Sequence, residues 1–152
     1  MSAVEDWRPI GALARETGVK VATIRFYEQI GLMPEARRTE GAWRLYGDAA
    51  RKRLSFIKHA RELGFGVDDI RALLELSDTP ERPCGDADRI AQVQLAVVER
   101  KIAQLEGLRQ ELSRMVHICA GGRIAGECLV IEALGERTLC GGAHTEAEGL
   151  TG

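Results

Sequence analysis

Four cysteines, Cys84, Cys119, Cys128 and Cys140, follow one another at spacings of 35, 9 and 12 residues. Thiolates are soft donors, suited to thiophilic metals and not to magnesium, calcium or manganese. A cysteine without such a partner is a small buried hydrophobe. What decides between the two is whether the chain can bring its thiols together. An iron–sulfur cluster needs four cysteines grouped near one helix end, and these spacings do not group them. A nucleophilic cysteine needs a base partner and a pocket built on a strand–helix pattern, and the sequence offers neither.

The element that must position the thiols is the segment from Asp86 to Ile118, which contains no proline and one glycine, Gly107. Apolar residues recur there at Ala91, Leu95, Val98, Ile102, Leu105, Leu112 and Val116, alternating by four and three, with Arg109 in one seam position. The pattern predicts a coiled-coil helix of about 33 residues, on the order of 50 Å long. Cys84 stands just before it; Cys119 and Cys128 follow it, enclosing a loop with three glycines. Within one straight chain these thiols cannot share an ion. No other segment is large enough to cover the apolar stripe, so the expected partner is the same helix of a second chain. If the two copies pair antiparallel, Cys84 of one meets Cys119 and Cys128 of the other, giving two equivalent three-thiolate sites. Cys140 lies beyond, in Thr138-Leu-Cys-Gly-Gly-Ala-His144. It can be read as a fourth ligand, a scavenging thiol or neither, with His144 and His117 as further candidates; His59 has no partner in sequence.

The 152 residues carry 21 Lys and Arg against 23 Asp and Glu, a net charge of −2 that conceals an asymmetry. Residues 8–61 hold twelve basic and five acidic residues, and the rest nine basic and eighteen acidic. A basic block of that size on a small folded unit fits a polyanion such as DNA, although a solvated charged face would look the same. No apolar run is long enough to span a membrane and the first residues lack the pattern of a secretory signal, so a cytoplasmic protein with reduced thiols and no membrane partner is expected.

In the basic block, Ile10, Leu13, Ala14 and Thr17 share one helical face and Gly18 stops that helix; a second helix runs from about Val21 to Gln29. Two short helices joined by a tight turn predict a helix-turn-helix whose second helix is sized for the DNA major groove. Residues 32–46, with Pro34, Gly41 and arginine-rich flanks, are read as a hairpin or wing. Asp48 is the expected N-cap of a helix over Ala49–Leu63, and Asp68–Leu76 forms another before the Pro-containing stretch 77–83 interrupts the chain.

Together, Thr23-Ile-Arg-Phe-Tyr-Glu28, Gly31-Leu, Trp43-Arg-Leu-Tyr46, Leu54-Ser-Phe-Ile57, Glu62-Leu-Gly-Phe65 and Asp69-Ile-Arg71 resemble the MerR family of metal-responsive transcription regulators, over about residues 8 to 134. The resemblance implies a mainly α fold: a winged helix-turn-helix DNA-binding domain (8–76), a linker (77–85), an antiparallel coiled-coil dimerisation helix (86–118) and a metal-binding loop and short helix (119–134); beyond it, residues 135–152, rich in Gly, Ala and Glu, are expected to form a flexible tail. It implies a homodimer on a palindromic promoter operator, double-stranded DNA that is bent and underwound when metal binds, and RNA polymerase as the beneficiary. By position, Thr23, Arg25, Tyr27, Arg38, Arg44 and Tyr46 are the expected DNA contacts. Tyr27 and Tyr46 could equally be packing residues, and Ile24 and Phe26 are expected in the core. Cys84 with the Cys119/Cys128 pair resembles the mercury and lead sensors. Three thiolates suit mercury(II) and are tolerated by lead(II), whereas cadmium and zinc prefer a fourth ligand. The order of expectation is mercury, lead, cadmium, zinc. The chain is not expected to be an enzyme; the competing class is a DNA-binding regulator whose cysteines are structural or answer to redox or another signal.

Overall fold

The computed structural model describes residues 6–41, 43–118 and 128–135. Cys119, Cys140, His144, the whole loop 119–127 and the tail from 136 lie outside the described residues. The elements are β1 (Arg8–Pro9), α1 (Ile10–Thr17), α2 (Val21–Gln29), β2 (Arg37–Arg38), β3 (Arg44–Tyr46), α3 (Asp48–Glu62), α4 (Val67–Ser77), α5 (Gly85–Ile118) and α6 (Leu129–Gly135). This is a mostly helical fold, a helix-turn-helix with a small antiparallel wing and a long C-terminal helix.

Helix α1 ends where expected, because Gly18 takes φ +68° and its N–H donates to the Ala14 carbonyl at 2.9 Å. A residue with a Cβ pays a steric penalty in that conformation, so the tight turn into α2 depends on glycine. Helix α2 closes in the same manner at Gly31, φ +74°, and the N–H groups of Leu32 and Met33 both reach the Tyr27 carbonyl, at 2.9 and 3.1 Å. The chain thereby turns Leu32 and Met33 into the core beside Leu13, Ile24, Leu54, Ile57, Ile70 and Leu74.

The wing carries one strand more than its sequence suggests. β3 lies between β1 and β2, antiparallel to both, with Arg8 opposite Tyr46 and Arg38 opposite Arg44. Two residues are too few to show alternation, and β1 ends on Pro9, so no strand pattern marks it. A second correction concerns Asp48. It is the first residue of α3, and Gly47 occupies the cap position. Its carboxylate instead accepts from Arg51 Nε at 2.8 Å, with Lys52 Nζ 3.4 Å away, and the Arg51 hydrogen bond holds it below the usual carboxylate range.

Two arginines secure the end of α2 from behind. Arg53 on α3 donates through Nε to the Leu32 carbonyl at 2.7 Å while its guanidinium pairs with Asp78 at 2.9 Å. Arg71 on α4 donates to the Ile30 carbonyl at 2.7 Å. The chain divides into two compact units, one up to Gln94 and one from Leu95. In the first, Gln94 donates to the Leu63 carbonyl at 2.9 Å, beside Gly64 with its φ of +86°.

Candidate DNA interface and thiol positions

Ion pairs and hydrogen bonds sort the basic block into two groups, with Arg44, 3.6 Å from Glu28, standing between them. Arg8 is buried and bridges Glu16 and Asp6; Arg51, Lys52, Arg53 and Lys58 pair with Asp48, Asp78 and Glu62; Arg61 donates to the Phe65 carbonyl. These cations support the fold. Arg15, Lys20, Arg25, Arg37 and Arg38 have no ion pair among the described residues and are exposed on α1, α2 and β2 or just ahead of α2. Arg37 lies over the Trp7 ring, 5.4 Å from its centroid, the spacing of a cation–π contact. Arg38 faces Arg44 directly across β2 and β3. Like charges in opposed sheet positions are destabilising, and an anion between them removes the penalty.

Of the residues expected to contact DNA, the structure brings Arg25, Arg38 and Arg44 to one cleft of about 490 Å³, which Glu28, Gln29, Glu35 and Ala36 also line. Arg25 comes from α2 and the other two from the wing, so the cleft joins the second helix of the helix-turn-helix to its flanking hairpin. Thr23 is half-buried on α2.

The tyrosines turn the other way. Tyr27 is 8% exposed and Tyr46 1% exposed, so burial favours the packing reading that the sequence leaves open for both. The Tyr46 hydroxyl donates to Glu28 Oε1 at 2.7 Å, and Arg44 stands 3.6 Å from Glu28 Oε2. Burial, and then the hydrogen bond to the Glu28 carboxylate, push the Tyr46 phenol well above its ordinary pKa. The three side chains lock α2 to β3, and Glu28, an acid in a basic region, is the residue whose role the sequence reading missed.

Phe26 requires correction. It is not in the core but 48% exposed, whereas Ile24 is fully buried. Two residues from Ile24 is roughly 200° round a helix, so a face defined by Ile24 and Tyr27 turns Phe26 outward. That geometry was available from the spacing alone.

Cys84 is exposed and sits directly ahead of α5, its carbonyl accepting from the Asp88 N–H at 3.1 Å. Cys128 is half-buried and sits directly ahead of α6, its carbonyl accepting from the Glu132 N–H at 3.0 Å. The His117 Nδ1–H donates to the Ser113 carbonyl at 2.7 Å. No group of three or more His, Cys, Asp or Glu residues able to hold a metal occurs among the described residues of the single chain. Along α5, Leu95, Val98, Ile102, Leu105, Leu112 and Val116 are all exposed, Ile102 to 61%.

Two short helices across a glycine turn, a cationic cleft on the second and an arginine-bearing hairpin beside it define a winged helix-turn-helix protein. Residues 8–77 match the model of the MerR helix-turn-helix family of regulatory proteins, and residues 51–115 match that of the MerR DNA-binding region. The chain is 40% identical over 127 residues to the transcriptional regulator ZntR of Escherichia coli, spanning 82% of this chain and 90% of that protein. It is 38% identical over 125 residues to the mercuric resistance operon regulatory protein of Bacillus cereus, spanning 82% and 95%. Among solved structures, it resembles a Ralstonia metallidurans transcription regulator crystallised with lead(II), with a TM-score of 0.71 and 38% identity over 82% of this chain and 97% of that one. The chain belongs to the MerR family of helix-turn-helix regulatory proteins.

Proposed function

We propose that this protein is a metal-responsive transcriptional regulator. As a homodimer joined along α5 in an antiparallel coiled coil, it binds a palindromic promoter operator through residues 8–76. Binding of a thiophilic divalent ion by Cys84 of one subunit and Cys119 and Cys128 of the other distorts that DNA into a form RNA polymerase can use. The observation that carries the DNA half of this reading is the convergence of Arg25, Arg38 and Arg44 on one cleft, with Arg38 and Arg44 opposed across the wing. Phosphate contacts of this kind position the protein, and DNA deformability supplies the switchable term.

The metal half rests on donor chemistry. Cys84 is accessible to an ion, Cys128 is half-buried, and a thiolate set is soft. The relatives named for zinc, mercury and lead support a thiophilic ion without choosing among them. Three thiolates favour mercury(II), then lead(II), then cadmium and zinc, which need a fourth donor such as Cys140, His117 or solvent. The linker 77–85 places Cys84 at the head of α5, and residues 119–134 provide the other two thiols ahead of a 135–152 tail.

Titration of anaerobically reduced protein with each of these four metals, read by thiolate charge-transfer absorbance, tests the reading. One ion per site, lost in Cys84→Ala and weakened in acid as the thiols reprotonate, is the expected result. Absence of stoichiometric binding would leave a DNA-binding regulator whose cysteines are structural.

A further inference from the structure

Helix α2 is nine residues long and its inner sides are committed. Ile24 and Tyr27 are buried in the core, Thr23 is half-buried, and the Glu28 carboxylate holds Tyr46 and Arg44. What remains is Ala22, Arg25, Phe26 and Gln29, all exposed and related as i, i+3, i+4 and i+7, one stripe down the helix. Three of these carry distinct chemistry: a guanidinium, a carboxamide and a phenyl ring with no donor or acceptor. The ring lies tilted against its neighbour Tyr27, with centroids 5.9 Å apart and planes at 48°, a contact that limits its freedom on the helix surface. Arg25 and Gln29 flank it and line the same cationic cleft as Arg38 and Arg44. A protein partner for Phe26 would have to desolvate these polar neighbours; DNA uses them.

We propose that Ala22, Arg25, Phe26 and Gln29 form the base-reading face of this protein, and that Phe26 reads thymine. The inference rests on the DNA-binding reading above. In the major groove thymine alone presents an apolar group, its 5-methyl, and a phenyl ring can recognise nothing else on a base edge there. The neighbouring side chains have the complementary capacity, a guanidinium for the O6 and N7 of guanine and a carboxamide for the N6 and N7 of adenine. Arg25 and Phe26 are adjacent in sequence, so guanine and thymine preferences should fall on neighbouring positions of a half-site. Thr23 and Tyr27, on the inner sides, carry no base preference.

The test uses the full-length dimer and a duplex enriched by it from a randomised DNA pool. The enriched duplex is remade with deoxyuridine replacing one thymine at a time, which removes only the methyl group. Wild type loses about fourfold in affinity at one symmetry-related thymine position, the worth of one buried carbon. Phe26→Ala binds both duplexes equally, and Phe26→Leu, which keeps an apolar surface, retains part of the preference. Equal deoxyuridine penalties in wild type and Phe26→Ala, or a penalty at no position, overturn the assignment while leaving DNA binding intact. Failure to enrich any duplex above the pool overturns the DNA-binding reading itself and this inference with it. Phe26 is about half exposed and outside the core, so Phe26→Ala should lower the thermal unfolding midpoint by only a few degrees and keep a cooperative transition, which separates a lost contact from a lost fold.

Discussion

The helix-turn-helix unit and the long helix handle their apolar residues in opposite ways. Between Leu13 and Leu74 the short elements cover one another, and Leu13, Ile24, Leu32, Leu54, Ile57 and Ile70 are almost wholly buried. Along α5 the stripe from Leu95 to Val116 is left open in the single chain. The first arrangement is stabilised by folding alone, whereas the second, in the proposed dimer, is completed by association and would therefore depend on concentration. The difference extends to charge. The arginines that brace the first unit, Arg8, Arg53 and Arg71, hold backbone and acids of the same unit, while two without an ion pair among the described residues, Arg25 and Arg38, meet Arg44 at one cleft.

The sharpest way to break this contrast is to charge the open stripe. Ile102→Glu combined with Leu105→Glu puts unpaired carboxylates at a dry seam and should weaken dimerisation roughly a thousandfold or more. Sedimentation equilibrium at micromolar concentration should then return the monomer mass; an unchanged dimer mass would contradict the assignment of α5 as the association surface. Leu54→Ala strikes the closed core instead. It should cost about 2–5 kcal/mol in urea unfolding, with the slope of association against concentration unaltered.

A smaller effect is expected at the joint between α2 and the wing. Tyr46→Phe removes the hydroxyl held by Glu28, a hydrogen bond to a charged group, and should cost about 2 kcal/mol at neutral pH. The Tyr46 phenol is raised in the folded state, by burial first and then by Glu28. An unfolded tyrosine ionises near its ordinary value of about 10, and the folded one keeps its proton. Stability from this group is therefore complete below about pH 10 and is lost as pH rises beyond it. Unfolding free energies across pH 8 to 11 should decline more steeply in wild type than in Tyr46→Phe. Smallest of all, Arg38→Ala should weaken binding uniformly across DNA sequences and reduce the slope of log affinity against log salt by about 1. A change confined to certain sequences would instead make Arg38 a base reader.

Much of the architecture was written in local chemistry. Gly18 stops α1, the heptad spacing of α5 is unbroken by proline, and α2 keeps its expected bounds from Val21 to Gln29. Where the reading failed, tertiary contacts decided the outcome. β1 exists because β3 offers it an edge, and Asp48 serves Arg51 and not the cap. The two tyrosines, left open by the sequence, are drawn inward by packing and, for Tyr46, by Glu28. Phe26 differs from these, since helical phase alone places it outside. The arginines were legible as a group, but only the folded contacts separate the braces, such as Arg8 and Arg53, from Arg25 and Arg38 at the cleft, with Arg44 serving both Glu28 and the cleft. The thiols form a pattern only through the length of α5, and the proposed site, needing two chains, would be visible in one chain only as a spacing.

Mixed dimers put that last point to its most direct test. Chains carrying Cys84→Ser are exchanged with chains carrying Cys119→Ser and Cys128→Ser, and mercury(II) binding is titrated under reducing, anaerobic conditions. Neither parent dimer retains a complete thiolate set, but each mixed dimer regains one, so the account predicts one tightly bound ion per mixed dimer with the charge-transfer absorbance of wild type. No recovery on mixing, or full binding by either parent alone, would contradict a metal site built between two copies of this chain.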